Sequence, residues 1–575
     1  MKNLITLTAI LLLVQTTNAQ IVNIPDTNFL AALITAGVDT SNDGQISYTE
    51  AEIVTHLYVD NSGISDLTGI EAFINLLTLY CYQNQLTSLD VSNSPALSYL
   101  RCEENLLTNL DVSNNTALSI LLCYDNQLTS LDISNNTTLT SFRCNQNQLT
   151  NLDISNNTAL TSLQCRNNQL NNLDVSNNTA LTELSCYQNQ LSSLDVSNNT
   201  ALTTLSCYQN QIDSLDINSP VLTFLTCYQN QLSSLDVSNS PALTDLWCQE
   251  NLLTSLDISY NTALTNLNCQ ENLLISLDVS NNTALTLLGC NYNQLSSLDV
   301  SYNTALTSLY CVDNQLTSLD VSNNIALTDL SCGKNPLSGL DVFNNTALTD
   351  LMCELNQLSS LNITNNTALT YLNCRANQLT ILDVSNNTDL TILSCHGNQL
   401  TSLDVSNNIE LTHLHIGTLS CGTNYLNCLD ISQNTLLENI EICNMPSLYE
   451  VCVWVLPFPP AGVIVETAGS PNIYYTTDCN CISNIVNTPI EKSKIDIYPN
   501  PTTGVVIINN ETVPTGRQEL RIKNVSVFDI YGRNLQGFEN LEGLTEIDLS
   551  QQPQGIYFIK VTTDKQTITK KIIKE

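Results

Sequence analysis

The segment 39–50 spaces oxygen-bearing side chains in a pattern suited to a hard cation. Aspartate, serine or glutamate stands at its first, third, fifth, ninth and twelfth places, and Gly44 at the sixth allows a sharp turn. Ca²⁺ prefers oxygen ligands, and the seventh place of such a loop supplies a backbone carbonyl while the ninth contributes through water. The spacing therefore predicts a calcium site with the following ligands: Asp39, Ser41, Asp43, Gln45, Ser47 and Glu50.

The elements that would hold this loop are two short helices, which we expect at 26–36 and 50–57. The helix–loop–helix pattern resembles the EF-hand, in which a bidentate glutamate closes the loop. The alternative is a helical cap of the same shape that binds no metal. The cap is predicted to span residues 20–75.

Sixteen cysteines recur along the chain at steps of 21 residues, with a single step of 20. They stand at 81, 102, 123, 144, 165, 186, 207, 227, 248, 269, 290, 311, 332, 353, 374 and 395. In each copy an apolar residue, a polar residue and the cysteine alternate, as in Leu163-Gln164-Cys165, which is the periodicity of a strand. Stacked copies predict one parallel sheet, with Leu170, Leu173, Val175 and Ala180 filling the core from the opposite wall.

The stacking also predicts the state of these cysteines. In-register side chains point the same way and suit the dihedral angle of a disulfide poorly, so we expect buried, unreactive thiols. Metal binding is the weaker alternative, because no CxxC pair occurs.

Two polar positions recur with the cysteine. Asparagine stands three residues after each one, from Asn84 to Asn398, and aspartate nine residues after it in 15 of 16 copies, with Asn362 as the exception. For the aspartates, acceptance of backbone N–H bonds is one interpretation, and cation binding along that edge is the other.

The pattern LxxLxLxxNxL over residues 76–418 is that of a leucine-rich repeat. With cysteine in the third apolar place it resembles the cysteine-laddered internalins of bacterial surfaces, whose caps are similar to EF-hands that have lost calcium. The resemblance implies a leucine-rich-repeat solenoid of the α/β horseshoe class with a ligand-binding concave sheet. It also implies that the amide of the recurring asparagine bonds the backbone of the turn that leaves the strand, which satisfies a buried polar group.

The strand positions that flank the cysteine vary widely between copies, whereas the turn LDVSNNTA scarcely changes. By strand alternation the varied side chains face outward on the concave sheet. A row of aromatic residues on three consecutive repeats, with a tryptophan close by, is the candidate ligand-binding site: Tyr187, Tyr208, Tyr228 and Trp247. Such rows stack on sugars or anchor a protein partner, although simple copying of the repeat also explains them.

Three of the four histidines fall near one another in the predicted sheet. His413 and His415 share a face of one strand, and His396 lies on the neighbouring strand. They are either metal ligands or a solvated cluster at the edge.

Six cysteines lie outside the ladder, in a cap predicted at 419–481 after Ile416 replaces the expected ladder cysteine. We expect disulfides among them, with 15 connectivities open: Cys421, Cys428, Cys443, Cys452, Cys479 and Cys481.

The two ends of the chain indicate export. Lys2, an apolar run and Thr17-Asn18-Ala19 predict a signal peptide at 1–19. Residues 482–493 are predicted as a linker and 494–575 as a β-sandwich. The motif YPNP…G at 498–504, YGR at 531–533 and GIYFIKV at 555–561 resemble the C-terminal sorting domain of type IX secretion substrates. The resemblance implies the type IX machinery of a Gram-negative bacterium as a partner, with surface attachment or release.

The amino-acid composition limits the classes of partner that the chain can bind. The net charge is −37, and all but six of the 17 basic residues follow position 490. So acidic a chain disfavours nucleic acid and anionic membranes. No transmembrane segment and no motif of a known enzyme class is found, so we predict a non-enzymatic surface or secreted protein that binds a protein ligand. A glycan-binding module and a structural spacer of the surface layer are the alternatives.

Overall fold

The computed structural model describes residues 20–418, 424–479, 495–498, 502, 505–510, 522–530, 532–541, 545–563 and 567–574. The predicted signal peptide and linker lie outside these residues. The chain divides into two compact units, Met1–Asn282 and Thr283–Glu575. Within the described residues no helix is long and apolar enough to cross a membrane.

The first unit begins with two helices, α1 (Thr27–Thr35) and α2 (Tyr48–Glu52), and a later 3₁₀ helix (Ile70–Ala72). Asp26 caps α1 by accepting hydrogen bonds from the backbone N–H groups of Asn28 and Phe29 at 2.8 and 3.1 Å. The second predicted helix is present, but its bounds of 50–57 were wrong, because α2 spans Tyr48–Glu52 and a strand follows. Leu57 and Val59 are both buried with Tyr58 exposed between them, which is the alternation of a strand.

The strands of the first unit form a parallel sheet that starts before the first ladder cysteine. Leu57 pairs with Leu79, and every later repeat adds one strand in the same register. The strands of this sheet are β1 (His56–Tyr58), β2 (Thr78–Tyr80), β3 (Tyr99–Arg101), β4 (Ile120–Leu122), β5 (Ser141–Arg143), β6 (Ser162–Gln164), β7 (Glu183–Ser185), β9 (Thr204–Ser206), β11 (Phe224–Thr226), β12 (Asp245–Trp247) and β13 (Asn266–Asn268). On the opposite wall β8 (Ser193–Val196) and β10 (Ser214–Ile217) pair in parallel.

The core of each repeat lies between these two walls. Leu163, Cys165, Leu170 and Val175 are fully buried. Ala180, which we expected in the core, is only half-buried. Leu181 and Asn178 are fully buried at this place instead, so the wall opposite the main sheet is partly polar.

Asn178 belongs to a second asparagine ladder. Asn178 is fully buried and donates to the carbonyls of Ile154 and Asn157 at 3.0 and 2.9 Å. The predicted ladder is confirmed as well: Asn168 donates to the carbonyls of Cys144 and Cys165 at 3.0 and 3.1 Å. Both amides therefore link one repeat to the preceding one.

The aspartates stand in the turn on the opposite wall. Asp174 accepts a hydrogen bond from the backbone N–H of Ser176 at 2.9 Å, and most repeats show the same contact. Asn362, the exception in sequence, accepts from the N–H of Thr364 at 3.2 Å. The structural interpretation of this ladder is confirmed, since a short polar side chain that bonds the backbone two residues on stabilises a turn.

All sixteen ladder cysteines are buried and lie outside any disulfide. Burial raises the pKa of the Cys165 thiol to about 12. The thiolate is the reactive form, so burial that favours the neutral thiol disfavours its reaction.

The second unit continues the same architecture. Its main parallel strands are β14 (Leu287–Gly289), β15 (Ser308–Tyr310), β16 (Asp329–Ser331), β17 (Asp350–Met352), β18 (Tyr371–Asn373), β19 (Ile392–Ser394), β20 (His413–Gly417), β22 (Asn439–Ile442) and β24 (Ile464–Glu466). The opposite wall of its last turns is a parallel sheet of β21 (Cys428–Asp430), β23 (Glu450–Cys452) and β25 (Tyr474–Thr476).

Disulfides form in this terminal part, but they do not use every cysteine. Cys452 and Cys479 are joined, and Cys428 is also disulfide-bonded. Cys443 is buried outside any disulfide, so the prediction was wrong for this residue. Cys421 and Cys481 lie outside the described residues.

The tail forms two antiparallel sheets. One contains β26 (Ile495–Tyr498), β27 (Val505–Asn510) and β30 (Thr545–Asp548), and the other contains β28 (Ile522–Asp529), β29 (Asn534–Leu541), β31 (Gly555–Thr563) and β32 (Thr567–Lys574). Val506, Val527, Ile547 and Ile559 are buried in their common core. The predicted β-sandwich is confirmed; most of the YPNP segment lies outside the described residues.

Candidate functional site

Each repeat presents three outward side chains on the main sheet: the first and third residues of the strand and the residue after the ladder cysteine. We call this surface the strand face. In β7 these residues are Glu183, Ser185 and Tyr187, which are half-buried, whereas Leu184 and Cys186 between them are buried. Because the buried positions carry the packing, the three outward positions are free to vary.

The predicted tyrosine row is a continuous stack on the strand face. The ring centroids of Tyr187 and Tyr208 lie 4.1 Å apart, and those of Tyr208 and Tyr228 lie 4.3 Å apart. The planes are within 12° and 11° of parallel, respectively. The Nη1 atom of Arg166 donates to the hydroxyl of Tyr187, which extends the row by one polar group. Four adjacent repeats thus contribute to one ridge.

Trp247 stands beside this ridge and is not part of it. It is the third residue of β12 and pairs with Thr226 and Asn268, whereas each tyrosine follows a ladder cysteine. The side chain that continues the tyrosine row is Gln249, which is buried. The tryptophan is half-buried and offers a second apolar surface next to the end of the row.

A second aromatic cluster lies on the first strands. Tyr80 contacts Tyr58 and Tyr99 edge to face, at centroid distances of 5.0 and 5.2 Å. The guanidinium of Arg101 lies 4.1 Å from the ring centroid of Tyr82. Sequence reasoning missed this cluster because the helix expected at 50–57 covered the start of β1, and no repeat strand was placed there. The alternation of Leu57 and Val59 was the signal that could have placed it on a strand.

The three histidines come together on the strand face of the second unit. His413 and His415 have ring centroids 6.1 Å apart, and His396 lines the same depression. Ser394 Oγ contacts His415 Nδ1 at 2.9 Å, and Thr412 Oγ1 contacts His413 Nδ1 at 2.9 Å. The cluster is not a solvated edge, since His396 is only 5% exposed.

These histidines do not form a convergent metal site. Among the described residues, one set of three metal-ligating side chains has its ligand atoms within 4.8 Å of one another, and it is Asp430, Cys452 and Cys479. Two of these ligand atoms are the sulfurs of a disulfide. Burial, together with Arg375 and His415, lowers the pKa of His396 to about 4, so this ring is neutral at neutral pH.

The predicted calcium loop lies between α1 and α2, and its carboxylates bond the loop itself. Glu50 accepts from the backbone N–H groups of Ser41 and Ser47, both at 2.9 Å, and from the hydroxyls of Thr40 and Ser47. Asp39 accepts from the N–H of Gly44 at 2.9 Å. These bonds hold the segment in the shape of a loop.

The three carboxylates of the loop are not gathered around one point. Asp39, Asp43 and Glu50 have no set of three oxygens within 4.8 Å of one another in this part of the chain, which is fully described. Asp43 accepts from the N–H of Gln45 at 2.9 Å and is exposed. Calcium binding by this loop stays a prediction, and no step of the proposed function depends on it.

Hydrogen bonds shift the acidity of two residues in the cap. The N–H of Ser47 is the main reason why the pKa of Glu50 falls from its ordinary 4.5 to about 2. Burial alone would raise the pKa of Asp26, but bonds from Ser65 and from the first turn of α1 outweigh it and lower the pKa to about 2. Both groups are therefore charged throughout the physiological range.

Comparison with known proteins agrees with this architecture. Residues 496–575 match the family model of the secretion system C-terminal sorting domain. No curated protein sequence matches the chain. The plant peptide hormone receptor RGFR1, solved in complex with RGF2, has a TM-score of 0.60 at 19% identity, over 71% of this chain and 76% of that one.

Two bacterial structures are also similar. YopM from Yersinia enterocolitica has a TM-score of 0.54 at 24% identity and covers 74% of this chain and 91% of its own. The functional domain of InlJ from Listeria monocytogenes, which includes a cysteine ladder, is 28% identical over 97% of this chain and 98% of that one, with a TM-score of 0.49. The chain thus has the leucine-rich-repeat fold, and its residues 496–575 match a secretion system C-terminal sorting domain.

Proposed function

We propose that this protein is an exported surface or secreted binding protein that takes a protein ligand on its strand face, which is the concave side of the solenoid in the family it resembles. The observation that carries the proposal is the stack of Tyr187, Tyr208 and Tyr228 beside Trp247 on an otherwise uniform scaffold. Tyrosine, tryptophan and arginine dominate the energetics of protein interfaces. All four aromatic side chains are partly exposed, so their remaining surface is available to a ligand.

The ring geometry favours a protein over a polysaccharide. A sugar that stacks on an aromatic residue needs an open ring face, and here the facing surfaces of neighbouring rings cover each other at about 4.1 and 4.3 Å. The stack therefore presents ring edges and hydroxyl groups. Tyrosine edges and hydroxyls pack against apolar side chains while making hydrogen bonds, which suits a polypeptide surface.

The sorting domain supports the cellular side of the proposal. It implies recognition by the type IX secretion machinery, followed by attachment to the outer surface of a Gram-negative bacterium or by release. A binding face displayed there fits adhesion to another protein. A glycan module that uses the tyrosine row and a spacer without a ligand remain the two competing functions.

The first experiment is capture of partners by the purified full chain from extracellular and host-matrix protein mixtures, in parallel with a glycan array. The control is a chain in which Tyr187, Tyr208, Tyr228 and Trp247 are all alanine. We expect a protein partner that the wild-type chain retains and the variant loses, with circular dichroism of both chains alike. Glycan binding that the variant loses would replace the proposal by the glycan module. No differential partner in either format would favour the spacer.

A further inference from the structure

A depression of about 470 Å³ lies on the strand face of the second unit, whereas the tyrosine stack belongs to the first unit. Strands β18, β19 and β20 form its floor. The side chains that matter for its chemistry are Tyr371, Arg375, His396, His415, Thr418 and Glu441. Its walls are thus largely polar, in contrast to the leucine core beneath the sheet.

Several polar atoms of these walls are buried without a hydrogen-bond partner. In the described part of the chain they include Arg375 Nε, His396 Nδ1, His415 Nε2 and Thr418 Oγ1. Buried polar groups in folded proteins almost always have a partner, and a missing ion or ligand is one explanation where they do not. Four such atoms around one depression indicate a polar occupant.

The hydrogen-bonding character of these four atoms indicates the charge of the group that the depression binds. The guanidinium of Arg375 can only donate, and it repels a metal cation. A neutral histidine ring donates from one of its nitrogens, and a threonine hydroxyl can donate as well. Ser394 Oγ contacts His415 Nδ1 at 2.9 Å, which leaves Nε2 as the ring atom without a bond. A set of donors around a fixed arginine fits an acceptor group that carries negative charge.

Glu441 is the acid in the lining that opposes this charge. Its Oε1 atom lies 4.0 Å from Nε2 of His415. Burial outweighs this carboxylate and lowers the pKa of His415, so the ring is neutral at neutral pH and donates from one nitrogen. When Nδ1 accepts from the hydroxyl of Ser394, Nε2 carries the ring proton and donates to the occupant.

The placement of arginine along the chain supports the same conclusion. Between residues 20 and 479 there are five basic residues: Arg101, Arg143, Arg166, Lys334 and Arg375. All four arginines occupy strand-face positions. Arg101 pairs with Glu103, and Arg166 donates to Tyr187. Arg375 has no ion pair to any residue that the structure describes, so its charge is available to a ligand.

We propose that the depression around Arg375, His396 and His415 is a subsite that binds a carboxylate group of the protein ligand. This rests on the proposed function of the strand face and specifies its partner, which must present a carboxylate from a chain end or from an aspartate or glutamate side chain. Arg375 supplies the charge and the histidines supply additional donors.

Ring NMR signals of the full chain labelled at histidine test the subsite directly, because the chain has four histidines. His56, exposed on β1, serves as the internal reference. The probes are acetate, N-acetyl-triglycine with a free carboxyl end, its amide, and an N-acetylated and amidated Gly-Asp-Gly peptide. We expect saturable shifts of His396 and His415 with every probe except the triglycine amide, and none at His56. A response to only one of the two carboxylate peptides would identify a chain end or a side chain as the source.

Two variants complete the experiment. Arg375→Gln is expected to weaken acetate binding at least about tenfold, as loss of a charged hydrogen bond does. Arg143→Gln, on the strand face with its own buried Nε, is expected to leave the His396 signal unchanged. The proposal is overturned if no carboxylate shifts these rings, if Arg375→Gln binds acetate as wild type does, or if Zn²⁺ alone binds saturably there.

The outcome of the NMR titration can be distinguished from the outcome of the partner-capture experiment. A captured partner without any carboxylate response would remove the subsite and keep the binding face. A carboxylate response without any partner would remove the proposed function and keep the subsite.

Discussion

The rings of Tyr187 and Tyr208 stack with their centroids 4.1 Å apart, although the two residues are separated by a whole repeat. The parallel register of β7 and β9 produces this contact, because it places Leu184 opposite Leu205 and carries every later position into line. A tyrosine at the same place in consecutive repeats therefore stacks on the tyrosine of the next repeat. The regular period of the sequence thus places equivalent side chains in one row on the surface.

The central ring of the stack should stabilise the solenoid. Tyr208 contacts rings on both sides, so Tyr208→Ala is expected to lower the free energy of unfolding by about 1–3 kcal/mol, the sum of two aromatic contacts. Tyr208→Phe keeps both contacts and should cost less than about 0.5 kcal/mol. Chemical denaturation followed by circular dichroism measures both. Equal losses for the two variants would show that the hydroxyl, and not the stack, is the stabilising group.

Neighbouring asparagines in one turn should differ sharply in importance. Asn178 is fully buried and donates to two carbonyls of the preceding turn, so Asn178→Ala leaves both acceptors without a partner and should cost about 2–4 kcal/mol. Asn177 is exposed and donates a single bond of 3.4 Å, so Asn177→Ala should change stability by less than about 0.5 kcal/mol. The same denaturation experiment compares them. Similar effects at the two positions would refute the second ladder.

The cap should lose stability in acid. The folded pKa of Glu50 is about 2 against an ordinary 4.5, so its contribution is complete above pH 4.5 and disappears as the pH falls towards 2. Glu50→Gln should destabilise the chain by about 1–3 kcal/mol at pH 6 through loss of the charged acceptor. The difference between wild type and variant should shrink steadily below pH 4.5. A difference that is constant with pH would mean that the charge of Glu50 makes no contribution.

Calcium binding by the loop can be separated from its structural role. We predict that the full chain takes up one Ca²⁺ by calorimetry and that Asp43→Ala abolishes the heat, because Asp43 is exposed and makes a single bond within the loop. The matched control is Asp66→Ala, which removes an exposed aspartate with the same type of turn outside the loop. Absence of heat with the wild-type chain would leave the loop as a metal-free cap.

The repeated part of the fold could be predicted from sequence in detail. Strand alternation around Cys165 and the fixed place of Asn168 specify the register, because one slip would turn Leu163 to the surface. The burial of the ladder thiols follows from the same register. These features depend on local periodicity, which a sequence displays directly.

The features that were not predicted from the sequence lie where a repeat departs from the 21-residue pattern or where several repeats act together. Residues 56–58 form a repeat strand that is followed by Val59 in place of the cysteine, and without that marker the helix expected at 50–57 was extended into the first two residues of the strand. Asn178 is as constant as its exposed neighbour Asn177, so composition alone could not tell which amide points inward. The depression around Arg375 requires three strands to place separate residues together, which no single repeat reveals.

The most direct test of the account is the affinity of the captured protein partner for two variants of the full chain. One carries Tyr187, Tyr208, Tyr228 and Trp247 as alanine, and the other carries Tyr260→Ala and Asp174→Ala on the opposite wall. We predict that the strand-face variant loses at least about tenfold in affinity, as expected for hot-spot residues, whereas the opposite-wall variant binds as wild type does. Unchanged binding by the strand-face variant, with the loss confined to the opposite wall, would contradict the central claim.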